Sequence, residues 1–255
     1  MLCRVGERVP HATRELAEAL ADEPRFIGSP EAPRTAAWHD DLRDARGCLL
    51  EAGGQVDDAL AAGGFPLLVA GDCGIALTTL AAVRRHRPDA RVLWLDAHGD
   101  FNTPETTESG FLGGMALAGA VGLWDAGLGV DAFPADRVVL AGVRDLDAKE
   151  RELLERSEAT IVGAGLDTLV AVQNALDRSP VYVHLDVDVL DPEYMPAQFP
   201  VSGGLRPDKL YDLLEAVADE CEIVGVEVTA FVDADHGDTV ASVLKPVLKE
   251  AYVHH

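Results

Sequence analysis

The chain has 255 residues, 48% of them apolar and 25% charged, a profile that excludes disordered and fibrous classes and fits a globular protein with a sizeable core. Lys and Arg number 21 against 44 Asp and Glu, a formal net charge of −23. Such a field repels nucleic-acid backbones and anionic membranes and draws small cations toward it, so neither nucleic acid nor membrane is an expected partner. Residues 1–7 lack the long apolar core of a signal peptide. The longest uncharged stretch, 109–124, is Gly-rich and falls short of the ~20 apolar residues of a spanning helix. A soluble, cytoplasmic protein is expected. Cys3, Cys48, Cys73 and Cys221 show no CxxC spacing, and reduced thiols are the default.

In chain order, apolar runs rich in Val, Ile and Leu at 65–70, 91–96, 137–143, 160–162, 181–186 and 223–228 read as strands. Most lack polar alternation, as strands covered on both faces of a parallel sheet do. Ile75, Leu80 and Val83 mark a helix opening after Gly71-Asp72-Cys73-Gly74. Leu210, Leu213, Leu214 and Val217 fall at i, i+3, i+4 and i+7 behind Pro207, a second helical face. Alternation over the whole length predicts one α/β domain, residues 1–255, built as a three-layer α/β/α sandwich on a mainly parallel sheet. No strand is followed by G-x-G-x-x-G, which argues against a dinucleotide-binding domain.

Two segments carry the chemistry. In Trp94-Leu95-Asp96-Ala97-His98-Gly99-Asp100 the period of two turns Asp96, His98 and Asp100 the same way, and in His184-Leu185-Asp186-Val187-Asp188 it does so for His184, Asp186 and Asp188. Both lie at strand ends, where open α/β sheets place ligands. Four carboxylates converging there repel one another unless cations intervene. A pair of divalent ions, with Asp96 and Asp186 free to bridge them, answers this; oxygen-rich donors plus one imidazole suit Mn²⁺.

These segments resemble signatures of the ureohydrolase superfamily, which includes arginase, agmatinase and formimidoylglutamase. Asp96-Ala97-His98-Gly99-Asp100-Phe101-Asn102-Thr103-Pro104 is similar to D-A-H-x-D-x-N-T-P, and Asp186-Val187-Asp188-Val189-Leu190-Asp191-Pro192 to D-x-D-x-x-D-P. Leu68-Val69-Ala70-Gly71-Asp72-Cys73 resembles the strand and turn that in the family end in a His ligand, and Val226-Glu227-Val228 a late strand. The resemblance implies a parallel sheet of about eight strands, a binuclear Mn²⁺ centre, and trimers or hexamers. It also implies hydrolysis of a C–N bond of a guanidino amino acid, with release of urea, through a metal-bridging hydroxide. Carried over by position, the ligands are Cys73, Asp96, His98, Asp100, Asp186 and Asp188. Glu227 would pair with the substrate's cationic end, Asn102 and Ser109 with its carboxylate, and Asp147 with its α-amino group. Asp100, Glu227 and His184 are the catalytic candidates, His184 as a neighbour of the ligands or as an ordinary interior side chain.

Three departures bear on specificity. Cys73 replaces a His ligand, and either binds metal as a soft donor or stands aside as a small buried residue. Gly113 stands where the arginase pattern places a proton-shuttling His. The segment Pro196-Ala197-Gln198-Phe199-Pro200-Val201 is shorter and bulkier than the family's loop. Together these keep open an O-ureido amino acid, whose leaving group needs less acid assistance, as an alternative substrate, and a catalytically degenerate relative as a further one. Arg144 is expected to anchor structure through local acids.

Overall fold

A computed structural model describes residues 10–29 and 36–249. Helices α1 (Pro10–Leu20) and α2 (Trp38–Ala61) precede β1 (Leu67–Val69), α3 (Ala76–His86), β2 (Arg91–Leu95) and α4 (Ala116–Ala120). Then follow β3 (Val138–Val143), α5 (Ala148–Arg156), β4 (Thr160–Gly163) and α6 (Thr168–Leu176), and last β5 (Val181–Asp186), α7 (Pro207–Glu220), β6 (Ile223–Thr229) and α8 (Gly237–Leu248). Each of the six apolar runs forms a strand. The sheet is parallel throughout, in the order β1-β6-β5-β2-β3-β4. It has six strands, fewer than the about eight implied by the resemblance, because no further run of this kind exists among the described residues. The long Gly-rich passage after β2 makes turns and the short α4 instead.

Helices cover both faces, as fully buried strands require. One core joins Leu16 of α1, Leu210 and Leu214 of α7 and Leu244 of α8 to Leu93, Val183 and Val226 of the sheet. The other joins Leu49 of α2, Leu80 of α3, Leu117 of α4 and Leu154 of α5 to Val92, Trp94, Leu140 and Tyr182. The helix foreseen at Leu210–Val217 starts at Pro207 and buries the four predicted residues.

Topology explains where the site lies. From β2 the chain proceeds outward to β3 and β4, then returns to place β5 on the other side of β2. The carboxyl ends of β2 and β5 therefore flank the switch point, where the connections diverge and leave a crevice. At the neighbouring end of β3 the register shifts between Ala141 and Val143. Gly142 there has φ +95, and a Cβ would meet the Asp96 carbonyl oxygen at 3.0 Å, so only glycine lets the two strand ends close up.

No helix among the described residues is long and apolar enough to cross a membrane. Cys73 and Cys221 are free, but Cys48 is disulfide-bonded, which corrects the expectation of reduced thiols at that position.

Leu214 is fully buried between α7 and the sheet. Leu214→Ala should lower stability by ~2–5 kcal/mol, seen as a lower denaturant midpoint with an unchanged slope.

Candidate metal centre

Three strand ends supply the cluster. Cys73 opens a 3₁₀ turn (Cys73–Ile75) after β1, pinned by Asp72, whose side chain accepts from Gly74 N at 2.7 Å. Asp96, His98 and Asp100 follow β2, and Asp186 and Asp188 close β5 and begin its 3₁₀ turn. Because β6 lies between β1 and β5, Cys73 reaches Asp186 across the end of β6. Its Sγ lies 2.9 Å from Asp186 Oδ2, 3.9 Å from Asp96 Oδ2 and 3.2 Å from Thr229 Oγ1.

The carboxylates are held from below by N–H donors. Asp96 Oδ1 accepts from His98 N at 2.7 Å and Oδ2 from the Trp94 indole at 3.2 Å. Asp186 Oδ1 accepts from Asp188 N at 3.0 Å, and Asp188 Oδ1 from Ala97 N at 3.1 Å, which ties the two strand ends together. His98 Nδ1 sits 3.1 Å from Asp188 Oδ2 and 3.4 Å from Asp96 Oδ1. Burial works against an imidazolium there, but Asp188 and Asp96 outweigh it and push His98 up to about 12.

Crowding shows most at Asp100. Burial, followed by the charges of Asp96 and Asp186, holds its carboxyl well above the usual range. Its Oδ2 is buried with no hydrogen-bond partner among the described residues. Its φ of 49 lies in the left-handed region, where a non-glycine residue stores ~1–3 kcal/mol of strain. Burial and Asp96 likewise raise Asp188. Buried like charges and an orphaned oxygen are what a divalent cation relieves, so these residues fit a metal. Two groups have ligand atoms close enough to hold an ion: Cys73, Asp96 and His184, and Asp96, His98 and Asp188.

All six sequence-predicted ligands line one cavity of about 410 Å³, together with Asn102, Ser109 and Asp147. Asn102 Nδ2 donates to Asp147 Oδ2 at 3.2 Å, and Ser109 Oγ accepts from Phe111 N at 3.2 Å. Glu227 and His184 are not on that lining. The expectation that Glu227 meets substrate is corrected: its Oε1 lies 2.6 Å from His184 Nδ1, and its Oε2 accepts from the Thr79 and Tyr182 hydroxyls. The pair is fully buried beneath the cluster. Polar β-strand residues at 182, 184 and 227 satisfy one another there, which the apolar pattern of the strands did not reveal.

Sequence reasoning missed Glu150. It lines the cavity, and burial pushes it up to about 7 against N–H bonds from Phe101 and Asp147. Its signal was present: Asp147 and Glu150 form the capping box of α5, the D-x-x-E spacing of a helix start. Arg144 also differs from expectation. Its guanidinium anchors backbone rather than acids, donating to the carbonyls of Asp188, Gly142, Val189, Leu190 and Val201.

Gly113 is occupied from the side. A Cβ there would run into the Phe111 ring, which lies 5.3 Å from the Phe199 ring. Phe199 in turn meets His98 edge-on at 6.3 Å. An aromatic collar thus fills the position of the missing imidazole.

Comparison with known proteins fits this site. Residues 33–250 match the model of the arginase family. The chain is 35% identical over 249 residues to the N(omega)-hydroxy-L-arginine amidinohydrolase of Streptomyces lavendulae, covering 96% of this chain and 90% of that protein. It is 35% identical over 199 residues to the arginase of Brevibacillus brevis, covering 71% and 67%. The solved arginase of Bacillus caldovelox superimposes with a TM-score of 0.82 at 27% identity, over 97% of this chain and 95% of that one.

Gly113→His alone should clash with Phe111 and lower the melting temperature. In Phe111→Ala the same change should be tolerated, giving a non-additive double-mutant cycle. Additive effects would mean that the collar does not govern this position. The match over most of the length, together with the geometry at the switch point, establishes that the chain belongs to the arginase family, whose members hydrolyse guanidino compounds.

Proposed function

We propose that the protein is a metal-dependent amidinohydrolase that cleaves a C–N bond of a guanidino amino acid with release of urea or a substituted urea. The observation that carries this reading is the convergence of Cys73, Asp96, His98, Asp100, Asp186 and Asp188 on a cavity also lined by Asp145, Asp147 and Glu150. The six ligands would hold a pair of divalent cations, with Mn²⁺ favoured by the carboxylates and imidazole and disfavoured by the thiol. When bound, such ions neutralise the carboxylates and acidify a water for attack on a trigonal carbon.

The chain's own residues do the positioning. Asp147 and Glu150 offer negative charge to an α-ammonium group, while Asn102 Nδ2 and Ser109 Oγ provide donors for a carboxylate. With both ends of the amino acid held, the guanidino carbon is delivered to the cluster in a fixed pose. The collar of Phe111 and Phe199 narrows the entrance and excludes water beside the leaving group. Single-domain organisation, cytoplasmic location and assembly into homo-oligomers are part of the same proposal, carried by family likeness.

Since the Streptomyces relative spans nearly the whole chain, an N-hydroxylated arginine heads the substrate panel, followed by arginine. The alternative substrate, an O-ureido amino acid, is favoured by one observation: the position of the expected imidazole is filled by Phe111, so a less basic leaving group suits the site. A Mn²⁺-loaded sample assayed for urea and hydroxyurea should turn over the hydroxylated arginine fastest, and Asp186→Asn should abolish that turnover. Faster turnover of O-ureidoserine, read as released ammonia because water attack on a ureido carbon gives carbamate and the aminooxy leaving group rather than urea, would move the assignment to the alternative. Turnover unaffected by Asp186→Asn would remove the metal reading.

Glu150 also predicts a pH dependence. Its pKa of about 7 means that it is ionised above that pH and neutral below it. KM for an amino-acid substrate should therefore fall as pH rises through about 7, and Glu150→Gln should flatten that step while raising KM on the alkaline side.

A further inference from the structure

The His184–Glu227 pair has no part in the cavity wall, yet its free edge faces the cluster. His184 lies flat on Trp94, ring centroids 3.5 Å apart and planes within 6°. Glu227 Oε1 sits 2.6 Å from its Nδ1, and we assign the ring proton to that nitrogen, with the carboxyl oxygen accepting the hydrogen bond. The lone pair is then on Nε2. Nε2 lies 3.5 Å from Thr229 Oγ1, the hydroxyl that is itself 3.2 Å from Cys73 Sγ and 3.3 Å from Asp186 Oδ2. One ligand atom from each of Cys73, Asp96 and His184 lies within 4.8 Å of the other two, and all three residues are buried. Beside them is the unpartnered Oδ2 of Asp100.

A carboxylate that fixes the tautomer of an imidazole, with the opposite nitrogen turned toward a thiol and carboxylates, is the arrangement that orients a metal-binding histidine. Packing alone explains neither the carboxylate nor the orientation. Two further hydroxyls, from Thr79 and Tyr182, secure the far oxygen of Glu227, so the ring is braced from behind as well as by Trp94.

We propose that His184 Nε2 is a ligand of the deeper of the two metal positions, shared with Cys73 and Asp96, and that Glu227 is its positioning residue. This rests on the metal centre proposed above and makes the two positions unlike. The deep one has a thiol, an imidazole and carboxylate, a set that selects Zn²⁺, Co²⁺ or Fe²⁺ over Mn²⁺; the outer one, with Asp96, Asp188 and His98, has no sulfur and suits Mn²⁺. The two positions would then differ in the metal each prefers.

Co²⁺ is the probe, because its spectrum reports its ligands. Titration of the full chain should give a near-ultraviolet thiolate band that Cys73→Ser removes. His184→Gln should keep the thiolate band, shift the visible bands and weaken the deep position by more than the ~10–100-fold expected for losing a partner that does not touch the ion. Glu227→Gln should stay within that ~10–100-fold range. Because His184 is buried, the decisive sample leaves it in place: His98→Asn, labelled with ¹⁵N-histidine and read by pulsed EPR in the species that carries the thiolate band. Histidine-nitrogen coupling retained there supports the proposal, since His98 is gone. A thiolate band without that coupling overturns it and leaves the metal centre standing. Absence of any bound Co²⁺ in the unaltered protein overturns both.

Discussion

Mutual repulsion among four buried carboxylates is the constraint on which the rest of this structure depends. Asp96, Asp100, Asp186 and Asp188 are each at most 6% exposed and converge at the ends of two neighbouring strands. Without compensation such a cluster would raise its own pKa values or force the strand ends apart. Compensation comes in layers. Main-chain N–H groups of residues 97, 98 and 188 and the Trp94 indole take up oxygens that face the sheet. His98 Nδ1 lies against Asp188 and Asp96 on the cavity side, and the remaining unmet demand, most plainly Asp100 Oδ2, faces the space a cation would fill.

The surroundings are rigid where that demand is greatest. Arg144 gathers five carbonyls, from Gly142 within β3, from residues 188–190 after β5 and from residue 201, so one half-buried guanidinium ties the β5 turn to the loop that carries Phe199. Burial lowers its pKa, but its neighbours are acids and carbonyl dipoles, and a planar fork of five donors is suited to them as an ammonium is not. Below the cluster, Trp94, His184, Glu227, Tyr182 and Thr79 form a polar network inside the apolar core. Networks of this kind are tolerated only when every member is satisfied, which fixes the floor of the site to one geometry.

The rim is where this chain departs from the family pattern. Replacing an imidazole by Gly113 leaves room that Phe111 takes, and Phe199 packs on Phe111. An acidic wall of Asp145, Asp147 and Glu150 remains opposite in chemistry to that collar, within the same cavity. Under the proposed function, recognition of an amino-acid end is kept apart from the chemistry at the cluster, so changes in the collar would alter the leaving-group environment and leave the ammonium seat in place.

The sequence by itself determined the strands and which acidic side chains share a face at their ends. Strand positions follow from uninterrupted runs of β-branched and aliphatic residues, and the period of two at 94–100 and 184–188 put the acids on one face before any fold was known. The Gly113 and Cys73 departures were equally legible, because a missing or altered side chain is a local fact. Tertiary structure decided what depends on neighbours from distant segments. Whether Glu227 faces substrate or core depends on Thr79 of α3 and on Tyr182 and His184 of β5. That Cys73 reaches Asp186 depends on β6 inserting between β1 and β5 while leaving the small Thr229 at its end. A pattern of residue types specifies which side chains are available and which face they share; only the order of strands in the sheet specifies which of them meet.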